Sequence, residues 1–272
     1  MEKKERAVKT IQMQGVPETM LQTLYARAAY SGRKGAKFHD DKAVEIVSRM
    51  DYDFSFAGED TMMSKGVIAR TLLLDRMVGD FLRENPRGTV VNIACGLDTR
   101  VYRLNVGSAV RWYNLDLPET IEVRRLFLKE DGNISMIARS AMDAGWADEI
   151  EETDGRALVI IEGLSMYLSE QDVKKILSII DSRFDSAEVI METMSPWVVK
   201  NVKEKSIEKT KAKFTWGVKS GRELARIAPE YRWVRDVSLV EGMKIIMPVY
   251  RLFGWMPPVK NISNKLVVLR KD

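Results

Sequence analysis

Between residues 88 and 193 short β-branched apolar runs alternate with stretches of helical periodicity. Residues 89–94, 110–115, 134–138, 158–161 and 188–191 read as strands, and 265–270 as a last one. The run Ala157-Leu158-Val159-Ile160-Ile161 has no polar position, as a strand buried on both faces requires. The intervening helices carry their own start signals. Pro118 falls in a first turn, and Ser169-Glu170-Gln171-Asp172 forms a capping box ahead of Val173, Ile176, Leu177 and Ile180. Upstream, Val67, Leu74, Val78 and Phe81 share one helical stripe, and Arg70 lies within it. A guanidinium on an apolar face either packs its stem and reaches water or meets a buried anion. After Pro196 a Lys-rich segment reads as helical to about residue 227. Strand and helix in alternation predict an α/β fold with a doubly wound, mostly parallel sheet. Residues 1–85 are expected to form an N-terminal helical region packed on a core of residues 86–272, with a lid insertion at about 196–230.

Composition narrows the class without naming a function. The chain has 272 residues, 45% of them hydrophobic, enough for one large domain with additions. With 43 Lys+Arg against 39 Asp+Glu the formal charge of +4 is too slight and too dispersed to argue for nucleic acid. Cys95 is the single cysteine, no apolar run approaches membrane-spanning length, and Met1-Glu2-Lys3-Lys4-Glu5-Arg6 lacks a signal peptide's apolar segment, so a cytoplasmic protein is expected. No residue cluster suggests a metal, and oligomeric state is not encoded legibly.

The chemistry concentrates where the first strand ends, in Val90-Val91-Asn92-Ile93-Ala94-Cys95-Gly96-Leu97-Asp98-Thr99-Arg100. A tight small-residue turn after a buried strand is a nucleotide-binding turn. A dinucleotide site wants three glycines so that backbone amides close on a pyrophosphate. Here only Gly96 is present, and Asp98 places a carboxylate where phosphate would sit. The turn therefore suits a phosphate-free adenosine ligand, and S-adenosylmethionine, with its cationic sulfonium and ammonium, is the common cofactor of that description.

Open α/β sheets bind ligands beyond the carboxyl ends of their strands, and three acids stand there. Asp116, 20 residues after Gly96, either accepts hydrogen bonds from ribose hydroxyls or caps the helix that opens at Leu117-Pro118. Asp143, in Ser140-Ala141-Met142-Asp143-Ala144-Gly145-Trp146, either takes an adenine amino group or serves a polar turn. Glu162 ends a buried strand and needs a cation: a ligand's, or that of a local Lys or Arg. Gly163 beside it would let the backbone pass close to a ligand.

Four stretches in this order resemble the leucine carboxyl methyltransferase family: Ala69-Arg70-Thr71, residues 91–104 with Gly96-Leu97-Asp98-Thr99-Arg100, Asp116-Leu117-Pro118-Glu119, and Glu162-Gly163-Leu164-Ser165-Met166-Tyr167-Leu168. The resemblance spans roughly residues 15–200 and includes bacterial members of the tetracenomycin polyketide O-methyltransferase type. It implies a class I, Rossmann-like methyltransferase fold and S-adenosylmethionine as cofactor. It further implies that Arg70 pairs with the cofactor carboxylate, Gly96 lies against the methionine moiety, Asp116 with Leu117 holds the ribose, Asp143 with Ala144 meets adenine and Glu162 receives the amino group. Tyr167 would face the reaction centre. Ala94 stands in the turn where relatives often have glycine, and Arg27 is the nearest basic residue where the family carries an N-terminal lysine.

Methyl transfer from a sulfonium needs chiefly positioning of the acceptor. A neutral acceptor would also want a base, usually histidine. The chain has only His39, in Lys37-Phe38-His39-Asp40-Asp41, which reads as a loop residue. An anionic small-molecule acceptor, a carboxylate or acidic hydroxyl, removes that need. Lys200, Lys203, Lys205, Lys209, Lys211 and Lys213, with Trp197, Phe214 and Trp216, either form a solvated face or belong to a lid over the acceptor. Two other functions fit less of the pattern: a non-catalytic S-adenosylmethionine-binding protein, and a nicotinamide-dependent oxidoreductase.

Overall fold

The computed structural model describes residues 19–55, 61–151, 155–201 and 213–272. Three helices come first: α1 (Thr19–Ser31), α2 (Asp41–Arg49) and α3 (Thr61–Glu84). The alternating part follows as β1 (Thr89–Ile93), α4 (Arg100–Arg103), β2 (Arg111–Asp116), α5 (Pro118–Phe127), β3 (Ile134–Ala138), α6 (Gly145–Asp148), β4 (Ala157–Ile161), α7 (Glu170–Arg183) and β5 (Ala187–Thr193). The C-terminal part contains α8 (Pro196–Asn201), α9 (Gly221–Ile227), β6 (Arg232–Ser238), α10 (Leu239–Ile246), α11 (Tyr250–Phe253), α12 (Pro257–Ile262) and β7 (Lys265–Lys271).

One seven-stranded sheet runs β3-β2-β1-β4-β5-β7-β6. The first five strands pair in parallel, β7 is antiparallel to β5, and β6 is antiparallel to β7. Strand order reverses between β1 and β4, and that switch point is where open α/β sheets hold ligands. All five positions of β1 and of β4 are buried, because helices cover both faces of the sheet. One core layer contains Val91, Leu115, Val159 and Ile176; the other, under α3, contains Val78, Phe81, Val90 and Ile190. A third cluster, with Leu24, Ile46, Leu97 and Phe127, fastens α1 and α2 to the α/β part. Fully burying each such side chain contributes roughly 1.5–3 kcal/mol.

The local signals act as the pattern anticipates. Val67, Leu74, Val78 and Phe81 are buried along α3. Pro118 opens α5, and both hydrogen bonds of the Ser169/Asp172 capping box form. Two differences stand out. The segment after Pro196 is not one continuous helix to residue 227: residues 213–220 are non-helical before α9. There Thr215 donates its N–H to Met166 O (2.8 Å) and its hydroxyl to Leu168 O (2.9 Å), so tertiary bonds take up its backbone groups. The second is β6, an edge strand whose side chains are largely half-exposed and which therefore lacks an apolar run. Among the described residues no helix is long and apolar enough to cross a membrane.

Candidate active site

A cavity of about 300 Å³ opens at the switch point. Its wall includes Ala94 and Gly96 after β1, Asp116 and Leu117 after β2, Ser140, Ala141 and Met142 after β3, and Glu162, Gly163 and Tyr167 after β4. Helix α1 contributes Met20 and Arg27, and α3 contributes Arg70.

The turn after β1 is tight enough to place two residues in the left-handed region, Ala94 at φ 55° and Gly96 at φ 48°. A Cβ on Gly96 would meet that of Met20 at 3.1 Å. Arg124, fully buried, donates from Nη1 to Gly96 O (3.0 Å) and Asp98 O (2.8 Å) and braces the turn from beneath. An alanine in the left-handed region costs roughly 1–2 kcal/mol, part of which glycine returns through its looser unfolded chain. Ala94→Gly is expected to raise stability by about 0.5–1 kcal/mol, measurable as a higher urea midpoint at unchanged slope.

Asp116 lies just before the cap of α5 rather than at it: the cap is Leu117. The Asp116 carboxylate accepts from Gly96 N through Oδ2 and from Leu117 N through Oδ1, each at 2.7 Å, with Thr120 donating its hydroxyl. Burial pushes its pKa up, and these hydrogen bonds only partly offset the shift. Among the described residues no cation stands within ion-pair distance of Asp116, which lines the cavity.

Arg70 and Glu162 are in contact. Arg70 Nε lies 2.6 Å from Glu162 Oε1, and Arg70 Nη1 donates to Glu192 Oε2 at 2.7 Å. The buried Nε–H finds no acceptor in hydrogen-bonding geometry. Glu192, 1% exposed, also accepts from Gly163 N (2.9 Å) and Asn264 Nδ2 (3.0 Å). Arg100 donates to Glu162 (2.8 Å), Asp98 (2.6 Å) and Asp75 (2.9 Å). Burial pushes the Glu162 and Asp98 carboxyls up, but the neighbouring guanidiniums outweigh it and hold both below the ordinary range.

This arrangement corrects the charge argument built on Asp98. Its carboxylate is tied to Arg100 and accepts from Asn92 Nδ2 (3.0 Å), so it is held within a set of ion pairs rather than standing alone at the turn. Glu162 has two protein cations, the local partners that the sequence left open, and it also lines the cavity. Arg27 is buried against Asp40 (2.9 Å) and donates from Nη2 to Leu97 O (2.8 Å).

Asp143 and Ala144 are not brought into the cavity wall. Asp143 accepts from Gly145 N in a local turn and pairs with Arg139 (3.0 Å each), and Ala144 is exposed beside it. Ser140, Ala141 and Met142 face the cavity instead. His39 is exposed, with Nδ1 3.1 Å from Ser31 O, away from the cavity. Tyr167 closes the wall on the side of the C-terminal part, its ring 5.6 Å from that of Phe214. Trp216 packs on the core, whereas Trp197, Lys200 and Lys213 are exposed. Lys203, Lys205, Lys209 and Lys211 lie outside the described residues.

Glu192, the buried partner of the cavity-lining Arg70, is the residue that the sequence reading missed. It directly follows the apolar run ending at Met191, the same strand-end position that singled out Asp116 and Glu162.

Sheet order, the β1 turn and acids at the carboxyl ends of β2 and β4 define a class I, S-adenosylmethionine-dependent methyltransferase. The profile of the leucine carboxyl methyltransferase family matches residues 19–181, and the chain belongs to that family. It is 34% identical over 235 residues to the tetracenomycin polyketide synthesis O-methyltransferase TcmP of Streptomyces glaucescens, covering 86% of each chain. Over 269 residues it is 27% identical to the S-adenosyl-L-methionine-dependent methyltransferase dpfgK of Gibberella zeae, covering 90% of this chain and 88% of the other. In structure it is similar to a putative methyltransferase from Thermobifida fusca, with a TM-score of 0.57 at 13% identity, covering 91% of this chain and 94% of that one. By family the protein is an S-adenosylmethionine-dependent O-methyltransferase, which sets aside the nicotinamide and non-catalytic readings.

Proposed function

We propose that the cavity at the switch point holds S-adenosylmethionine and that the protein methylates a carboxylate or acidic hydroxyl of a small molecule, rather than nucleic acid. The observation that carries this is one wall combining Arg70 and Arg27 with Asp116 and Glu162, and containing no histidine among the described residues. The residues present fit the cofactor. Arg70, on the cavity wall, offers its guanidinium to a carboxylate, Glu162 beside it suits an ammonium, and Asp116 offers acceptor capacity for ribose hydroxyls. Ala94, Gly96 and Leu117 line the same wall, so backbone approaches the ligand there. For the adenine end Ser140, Ala141 and Met142 are better placed than Asp143 and Ala144.

When bound, the cofactor supplies an activated methyl on a sulfonium, a good leaving group. The protein's own part is to hold the acceptor in line with it, which can be worth roughly 7–11 kcal/mol. Tyr167 and Phe214 form the aromatic side of the acceptor space. With no imidazole on the wall, deprotonation is left to the acceptor's own acidity. A cytoplasmic setting agrees with the single, buried Cys95.

The test is labelled-methyl transfer to a panel of aromatic carboxylic acids, acidic phenols, neutral alcohols and amines. Transfer to the acids and acidic phenols is expected, and transfer confined to amines would overturn the proposal. Tyr167→Phe, which keeps the ring, is expected to retain kcat within about tenfold, whereas Tyr167→Ala should lose about 100-fold through misplacement of the acceptor.

A further inference from the structure

The ion pairs around Arg70 continue behind the cavity wall. From Arg100 they pass through Asp75 to Arg103 (2.6 Å), from Arg103 to Asp40 (2.8 Å), and from Asp40 to Arg27. Thr99 donates its hydroxyl to Asp40 within the same chain of contacts. Every side chain in it is at most 15% exposed. It joins α1, α3, α4 and the ends of β4 and β5 into one unit. Among the described residues its membership does not balance: Asp40, Asp75, Asp98, Glu162 and Glu192 face Arg27, Arg70, Arg100 and Arg103, five carboxylates against four guanidiniums. Arg124 does not supply the missing cation, because it is matched by Glu130 and meets Asp98 only at the backbone oxygen.

A buried network with one negative charge in excess attracts a ligand of net charge +1 more strongly than one that is neutral overall. S-adenosylmethionine carries a sulfonium, an ammonium and a carboxylate, net +1. S-adenosylhomocysteine, having lost the sulfonium, is neutral overall. We infer that this network selects the methyl donor over its demethylated product by net charge, with Glu192 and Asp75 acting as specificity-determining residues without touching the sulfur. Transfer of the methyl group removes the charge that the network attracts, so the product is held less tightly than the same contacts would otherwise hold it.

The inference rests on the cofactor occupying this cavity, and calorimetric titration separates the two. The ligands are S-adenosylmethionine, S-adenosylhomocysteine and sinefungin, which carries an ammonium in place of the sulfonium. Glu192→Gln removes one charge and keeps an acceptor for Arg70 and Gly163, while Asn264 can turn its amide to meet the new NH₂ group. Asp75→Asn removes one charge elsewhere in the network. At an effective dielectric near 20, one charge is worth several-fold in affinity. In both variants the affinity for the donor relative to the product is expected to fall about fivefold, with sinefungin following the donor. Glu188→Gln, which removes a charge from the other end of β5 where Glu188 pairs with Arg270 (2.6 Å), should leave the ratio unchanged. Equal weakening of all three ligands is what a merely structural role would give, and it overturns the inference. So does a ratio that moves in only one of the two network variants, or one that moves as much in Glu188→Gln. A wild-type protein that binds none of the three instead defeats the placement of the cofactor.

Discussion

Replacing Arg70 by methionine is expected to destabilise the protein by about 3–5 kcal/mol and to abolish measurable cofactor binding. The guanidinium is the only cation within ion-pair distance of Glu192, among the described residues, and one of two at Glu162. Removing it leaves a carboxylate that is 1% exposed with only Gly163 N–H and the Asn264 amide for company. Losing one partner of a buried pair costs about that much because the other charge stays buried and uncompensated. The double variant Arg70→Met/Glu192→Gln separates the two effects. It deletes the stranded charge and should recover about 0.5–3 kcal/mol of stability, the coupling typical of residues in one network. Binding should not return, because the guanidinium that suits the cofactor carboxylate is still missing. Urea unfolding and calorimetry on the three proteins decide it. A single variant as stable as wild type would mean that Glu192 finds another partner.

What the amino-acid pattern disclosed and what it hid divides along the range of the interactions. Five strands of a mostly parallel sheet were legible because a strand buried on both faces must be apolar throughout, as 157–161 is. The edge strand β6 was not, since half-exposed positions such as Trp233 and Asp236 need no apolar run and only pairing with β7 makes them a strand. Among the acids, Asp116 and Glu162, singled out by their position after apolar runs, line the cavity, and Glu192 had the same signal but was passed over. Asp143 shows the limit of that rule. It stands five residues beyond the end of β3, far enough for a local turn to Gly145 to claim it. The misreading of Asp98 has the same root: its neutralising partner Arg100 is only two residues on, yet nothing short of the fold shows that the guanidinium turns back to it. Asp75, Arg103 and Asp40 are linked only in three dimensions, and no sequence periodicity announces them.

Asp116→Asn is expected to weaken S-adenosylmethionine binding by roughly 10–150-fold, the equivalent of about 1.5–3 kcal/mol for a charged hydrogen-bonding group. Both Asp116 oxygens already accept a backbone N–H, from Gly96 and from Leu117. Asparagine has one acceptor oxygen, so its NH₂ must face one of those donors, and the turn that lines the cavity opens along with the lost charge. Acid titration of the wild type should reproduce part of this loss. Burial raises the Asp116 pKa, so protonation begins above the ordinary aspartate value of 3.8. Its ionisation costs the fold at neutral pH, and protonation as pH falls through the raised value adds slightly to stability while removing an acceptor from the cavity. Asp40, Asp98 and Glu162 have the opposite sign. Their guanidinium partners outweigh burial and lower their pKa values, so the stability they contribute is complete above the unfolded-state values and is lost only as pH falls through the lower folded ones. Between the two lies a window in which cofactor affinity declines while the fold persists. Calorimetry and circular dichroism across the acid range should show binding failing first, and simultaneous loss of both would assign the acid sensitivity to the network rather than to Asp116.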